Sequence, residues 1–198
     1  MTAAFATSST SSTSTMPASA DASAPQLITL AGGCFWCLDG VYEQVQGVLS
    51  VQSGYANGQV DDPSYEQVCA GTTGHAEVVQ LRFDPAQVSL RELLEIFFVI
   101  HDPTTLNRQG NDAGTQYRSG IYVNDEGQLP ICREVLAEVR QATDKPVVTE
   151  LQPLKRYWPA EDYHQHYFAN HPGQGYCAYV VAPKVEKFRR SFARLVRG

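Results

Sequence analysis

Apolar residues recur along this chain in two rhythms. One is the alternation that fits strands, the other the i, i+3, i+4, i+7 spacing that fits one face of a helix. The first switch comes early: Leu27 to Leu30 forms an apolar run, Ala31-Gly32-Gly33 follows, and after Cys34 the residues Leu38, Val41, Tyr42 and Val45 keep helical spacing. Cys34 is thereby expected at a strand-to-helix turn, with two glycines before it that allow a sharp bend. Further on, Gly47 and Val48 open a short strand through Val51, and residues 54–58 (GYANG) read as a turn-rich break. From His75 to Phe83 the alternation is clean, and it places Glu77 on the same face as Val79, Leu81 and Phe83.

Ser89 to Ile100 is the most clearly marked helix. Ser89 and Glu92 form a capping box, Leu90, Leu93, Leu94 and Phe97 make the buried stripe, and Pro103 follows its end. Residues 103–116 are polar and aperiodic, a length that is uncommon inside a compact domain unless it serves function. A strand with Tyr117, Ser119, Ile121 and Val123 on its inner face comes next, then a helix opened by Pro130 with Ile131, Val135 and Val139 as its stripe. Val147 to Leu151 reads as a short strand, Ala160 to Phe168 as a polar, aromatic-rich helix, and Tyr176 to Val181 as a last strand behind Gly173 and Gly175. A final amphipathic helix carries Val185, Phe188, Phe192 and Leu195, with a solvated basic face. Cys132 is expected without a role, in the core or at the surface. Strands and helices intermix without a strict alternating order, which predicts an α+β fold, a mixed β-sheet with packed helices.

Composition narrows the function classes. The chain has 198 residues, 43% hydrophobic and 18% charged, which suits one globular domain. Residues 1–25 are dominated by Ser, Thr and Ala and predict a disordered tail, leaving 26–198 as a single catalytic domain. A net charge of −6, with no Lys or Arg before Arg82, disfavours a general nucleic-acid role. No run is long and apolar enough to span a membrane, and the tail makes a poor secretory signal; a cytoplasmic protein is expected. The five cysteines include one CxxC, Cys34 and Cys37, with Cys69, Cys132 and Cys177 scattered singly. In a cytosolic chain that pattern points to redox chemistry before structural disulfides. Zinc would want a second pair of ligands, and His164 and His166, two apart, do not face together on a helix; no metal site is expected.

Cys34 and Glu77 are the residues whose placement asks for chemistry. A thiol at a helix start is stabilised as thiolate by unpaired backbone N–H groups, although the dipole alone contributes only about 0.3–1 kcal/mol. The alternative is a buried structural cysteine. A carboxylate on an apolar face is either held in low dielectric with a raised pKa or snorkels from a strand end into an ordinary ion pair.

Four separated motifs then resemble one family. GCFW (33–36) after a short strand is similar to the active-site signature of the peptide-methionine (S)-S-oxide reductases, and PSYEQVCAGTTGHAEV (63–78), RQGNDAGTQYRS (108–119) and GYC (175–177) recur in the family's order. The resemblance implies a two-layer sandwich around a ferredoxin-like core. It also implies that Cys34 is the nucleophile and Glu77 the acid, with Tyr65 and Tyr117 donating to the sulfoxide oxygen. Phe35 and Trp36 would form an apolar wall for the methyl group and Asp112 would help orient the substrate. Aromatic residues more often simply pack cores, and both readings hold together where a buried phenol needs a partner. Attack at sulfur would leave a sulfenic acid on Cys34, which a second thiol condenses to a disulfide. The family's GYC motif commonly supplies that thiol, favouring Cys177, with Cys37 as the alternative or as a second exchange partner. A small thioredoxin-type protein (dithiothreitol in vitro) is the implied external reductant, with no bound cofactor, oxidised proteins or free methionine sulfoxide as substrate, and a monomer as the default.

Two positions depart from the family pattern. Cys37 stands where glycine is common, which puts the recycling route in question, and Asp39 stands where glutamate is common. Cys69 is expected in the core. A general thiol–disulfide oxidoreductase built on Cys34 and Cys37 is the competing reading, but it leaves Glu77 unexplained and crowds the CxxC with two aromatics.

Overall fold

The computed structural model describes residues 24–198; the expectation of a disordered tail falls almost wholly outside them. Strand β1 (Gln26–Gly32) is flanked on one side by β3 (Ala76–Phe83) and on the other by β6 (Ser119–Val123), antiparallel to both. Strand β2 (Val48–Ala56) pairs antiparallel with the far side of β3. Helix α1 (Phe35–Tyr42) connects β1 to β2, and α3 (Leu90–Ile100) leads from β3 toward β6. The order β6-β1-β3-β2, from two interleaved strand–helix–strand units, is the ferredoxin-like core. Strand β7 (Glu150–Pro153) adds to β6 in parallel, and β8 (Tyr157–Pro159) adds to β2, giving a mixed sheet of six strands.

One sheet face carries the main core. Ile28, Leu30, Val79, Leu81, Phe83 and Ile121 meet the fully buried side of α1 (Leu38, Val41, Tyr42, with Val45 just beyond) and Leu93, Leu94 and Phe97 of α3. The other face has a smaller cluster, Ala31, Ala56, Ala76, Val78 and Tyr122, backed by Leu154 and Tyr157. Burial on both sides explains why Ala76, Val78 and Val79 around Glu77 are all apolar and buried. Ser89 caps α3 and Glu92 returns the bond, as the capping box requires.

Several expected elements are displaced, each for a local reason. Strand β2 runs through the anticipated break: Gly54 lies inside it, because a Cβ there would come within 2.6 Å of the Trp158 carbonyl oxygen of β8. Tyr117 belongs to a 3-10 turn, Thr115–Tyr117, and not to β6; its amide donates to the Gly114 carbonyl. In α4 (Leu129–Gln141) the buried residues are Cys132, Val135 and Leu136, while Ile131 is exposed. Cys69 ends a short helix, α2 (Tyr65–Cys69), at the surface and is not in the core.

The helix expected over 160–168 is instead two short pieces, a 3-10 turn at Asp162–His164 and α5 at Tyr167–Asn170. Gln165 between them bonds the backbone N–H and carbonyl of Ser53, tying the segment to β2 in place of a continuing helix. The last expected strand is also absent. Cys177–Val181 form a π-helical turn that runs directly into α6 (Ala182–Ser191). Cys177 and Val181, one turn apart, are both buried, so packing against α1 overrides the strand preference of the paired valines.

Candidate active site

Cys34 is the N-cap residue of α1, and the turn before it is shaped by the glycines. Gly33 has φ +89°, and a Cβ on it would lie 2.6 Å from Gln109. Gln109 in turn accepts from the Asp102 amide at 3.0 Å and donates to the Asp102 carbonyl. This contact seats the small hairpin of β4 (Arg108–Gln109) and β5 (Asp112–Ala113) against the Cys34 turn. The aperiodic loop of the sequence is therefore a wall of the site.

Glu77, 1% exposed, points from β3 at the same helix start, where its Oε2 accepts from the Phe35 amide at 3.1 Å. That amide is one of the orphan donors of the first helical turn. Burial pushes the Glu77 carboxyl up to about 8; the Phe35 amide opposes the shift, and the negative charges of Asp112 and Cys37 add to it. The carboxyl is thus a protonated acid at neutral pH, and the snorkelling alternative is not what the chain adopts.

Cys34 is only 8% exposed. Burial raises its thiol, followed by hydrogen bonding with Cys37 and the charge of Glu77. Cys37 moves the other way, down to about 7, through that same hydrogen bond acting against burial, with the Lys184 ammonium helping. The two sulfurs titrate as a pair, Cys34 holding its proton more tightly than Cys37.

Aromatic rings enclose the pair. Trp36 stacks on Tyr167 at 3.8 Å between centroids with 7° between planes, and Tyr176 meets it edge-on at 5.8 Å. Phe35 is fully buried and forms the rear of the cluster, against Tyr55, Tyr65 and His164. Tyr65 and Tyr117 are half-buried, and burial raises both phenols above their ordinary value, so both are neutral donors. The charges of Glu77 and Cys34 act on Tyr117, and that of Glu77 acts on Tyr65. Glu161 fixes the Tyr65 backbone by accepting from its amide at 2.8 Å, and it also accepts from the Tyr55 hydroxyl at 2.7 Å. Asp112 does not point freely into the site: Tyr176 donates to its Oδ2 at 2.5 Å. Cys177 is buried at the start of the π-helical turn and responds to the charge of Cys37.

The fold therefore gathers Cys34, Phe35, Trp36, Cys37, Tyr65, Glu77, Asp112, Tyr117 and Cys177 around one helix start. Three participants were missed in the sequence. Tyr176 bridges Asp112 and lies 4.0 Å from the Cys37 sulfur; it was visible in GYC but hidden behind its cysteine. Lys184 was read as part of a solvated basic face. His164, 2% exposed and packed on Phe35, Trp36 and Tyr65, was weighed only as a zinc ligand. Burial lowers its pKa, so the imidazole is neutral.

Known proteins share both the sequence and the fold. The family profile described as peptide methionine sulfoxide reductase matches residues 26–195. The chain belongs to that family. It is 60% identical over 170 residues to peptide methionine sulfoxide reductase MsrA of Polynucleobacter asymbioticus, spanning 85% of this chain and 90% of that one. The MsrA of Saccharolobus solfataricus is 54% identical over 172 residues, 87% of this chain and 97% of its own. Among solved structures, reduced Mxr1 from Saccharomyces cerevisiae superposes with a TM-score of 0.72 at 39% identity, covering 79% of this chain and 91% of Mxr1. Mxr1 in complex with Trx2 gives 0.51 at 28% identity, covering 72% and 84%. The protein is thus an oxidoreductase of the MsrA type. Membership also decides against the general thiol–disulfide oxidoreductase reading. No helix among the described residues is long and apolar enough to cross a membrane.

Proposed function

We propose that the protein reduces methionine S-sulfoxide, free or within proteins, by attack of the Cys34 sulfur on the sulfoxide sulfur, the Cys34 proton passing to the Cys37 thiolate. A bond between the two sulfurs forms as Glu77 delivers its proton to the sulfoxide oxygen; the hydroxyl then passes to the Cys34 sulfur as that S–S bond and the substrate S–O bond break. The products are methionine, Cys34 sulfenic acid, the Cys37 thiol and the Glu77 carboxylate. Tyr65 and Tyr117 hold the oxygen, Trp36 with Phe35 behind it receives the methyl group, and Asp112 acts through Tyr176 to close the site. The observation that carries this reading is the protonated, buried Glu77 bonded to the first amide of the helix that Cys34 caps. The test is turnover of the separated sulfoxide epimers with dithiothreitol, wild type beside Cys34→Ser. Activity in the variant, or preference for the R epimer, defeats it.

A neighbouring thiol condenses with the sulfenic acid, releasing water and leaving a disulfide. Two cysteines qualify. Cys34 and Cys37 influence each other's titration, and Cys177 in turn responds to the charge of Cys37. That order supports a relay in which the disulfide forms first at Cys34–Cys37 and is passed to Cys177. Direct condensation with Cys177, which the family motif favours, requires Cys177 to leave its buried turn. A thioredoxin-type dithiol then reduces the enzyme, a reading supported by the complex that Mxr1 forms with Trx2. Five free cysteines suit a reducing compartment, which supports the cytoplasm. Oxidation with one equivalent of methionine sulfoxide in the absence of reductant, quenched early and mapped by mass, separates the routes. A Cys34–Cys37 link that precedes any link to Cys177 supports the relay; Cys34–Cys177 as the first species overturns it.

A further inference from the structure

The Asp39 side chain is fully buried, and neither of its carboxylate oxygens has a hydrogen-bond partner. Burial, then the charge of Glu43, raises its pKa; His166 and the Tyr167 amide oppose the shift. A buried carboxyl without a partner is costly, so such a group asks for one. Two other ligand atoms face it. Glu43, four residues on and therefore on the same side of α1, offers a carboxylate, and His166, from the turn before α5, offers its Nδ1. One atom from each of the three residues lies within 4.8 Å of the others.

We propose that Asp39, Glu43 and His166 bind a divalent first-row cation, zinc foremost, with solvent completing the coordination. Two carboxylate oxygens and one imidazole nitrogen form a donor set that zinc accepts, with bonds of about 2.0–2.2 Å. The three donor atoms lie close enough together to face a common ion. The place in the fold also favours a cation. Glu43 is the C-cap residue of α1, where exposed carbonyls concentrate negative charge. Two carboxylates at i, i+4 repel each other unless a positive charge sits between them. His166 already interacts with Glu43 through that nitrogen, so the imidazole partly plays the cation's part when no ion is bound. The site lies outside the group of residues given to catalysis, yet it reaches them: Tyr167, next to His166, stacks on Trp36. A bound ion would clip the second half of the aromatic wall to the helix that carries Cys34.

The test uses the full chain with Cys34→Ser, Cys37→Ser and Cys69→Ser, so that thiols do not compete, and titrates it with Co²⁺ alone, followed by Zn²⁺. The expected result is one Co²⁺ per chain, with weak visible ligand-field bands, no thiolate charge-transfer band, and displacement by Zn²⁺. His166→Ala, whose side chain is 57% exposed and whose loss leaves the core intact, is expected to weaken binding at least about 10-fold. Asp39→Asn is expected to do the same; should that variant fail to fold, Glu43→Gln replaces it. Absence of stoichiometric binding at sub-millimolar metal overturns the proposal. So does an unchanged affinity in His166→Ala or in the folded carboxylate variant.

Discussion

Replacing Glu77 by Gln separates two consequences of burying one carboxyl. Gln keeps the oxygen that accepts from the Phe35 amide, so the start of α1 retains its bond, but it has no proton to give. A positioned acid contributes about 10²–10⁴-fold in rate, so the variant should lose at least about 10-fold in single-turnover reduction. The pH profile carries the sign. With a folded-state pKa of about 8, the acid form dominates at neutral pH and is lost above it. Wild-type rates should therefore fall on the alkaline side of about pH 8, and that falling limb should be missing in Glu77→Gln. Stability moves oppositely. The folded pKa lies above the ordinary 4.5, so this group's contribution is fully present below 4.5 and is lost as pH rises toward 8. The slope is about 1.4 kcal/mol per pH unit, or about 3 kcal/mol between about pH 5 and pH 7.5. Gln does not titrate, so the variant should gain on the wild type by that amount across the window, even while it loses activity. Denaturant unfolding of both proteins at several pH values reads the difference directly. Parallel stability profiles, or a wild-type single-turnover rate in the variant, would refute the reasoning that Glu77 is buried as a protonated acid.

Other changes test neighbouring parts of the arrangement. Cys34→Ser should abolish reduction of the S epimer, measured with dithiothreitol to bypass the natural reductant. Tyr65→Phe and Tyr117→Phe each remove a neutral donor, and each should lower single-turnover rates, with about 10²–10³-fold as the upper range for one donor to a developing oxyanion; unaltered rates in both would remove the tyrosines from the mechanism. Lys184→Met should raise the pKa of the thiol pair, visible as an alkaline shift in the pH dependence of iodoacetamide alkylation, because the ammonium is one of the groups that lower Cys37. Gly33→Ala should destabilise the fold by more than about 1 kcal/mol in chemical denaturation, since the new methyl group meets Gln109 in a left-handed backbone conformation.

The periodic half of the molecule was readable because its elements obey one rule each. The stripe of Leu38, Val41, Tyr42 and Val45, the Ser89–Glu92 box and the alternation that aims Glu77 inward are local patterns, and the structure keeps all three. Together they position Cys34 and Glu77. Much of what escaped lies between Trp158 and Val181, where no period governs the chain; Gly54, Tyr117, Ile131 and Cys69 also depart from their expected places. Gln165 breaks the helix there by bonding the backbone of β2, and a pair of valines joins a helical turn because α1 offers Cys177 and Val181 a buried surface. Such choices depend on partners more than a hundred residues away. Nothing near Tyr176, Lys184 or His164 in the sequence announces that partner.

This division has a mechanistic consequence. Cys34 and Glu77, the nucleophile and acid proposed above, are carried by β1, β3 and α1, elements of the core. The aromatic wall and the second recycling thiol belong to the segment from Tyr163 to Val181, made of short turns anchored by side chains. Reduction of the sulfoxide needs a fixed distance between Cys34 and Glu77, which the first group supplies. Recycling needs the opposite, because a disulfide requires Cα atoms within about 4.4–6.8 Å and the thiols must change partners. Cys177 sits in a π-helical turn, a form frequent at functional sites. The irregularity that hid this segment from sequence reasoning would serve the recycling proposed above. Hydrogen exchange localised to residues 173–181, faster in the Cys34–Cys37 oxidised protein than in the reduced one, is the expected outcome; equal protection in both states would mean that the turn stays rigid and that Cys177 takes no part.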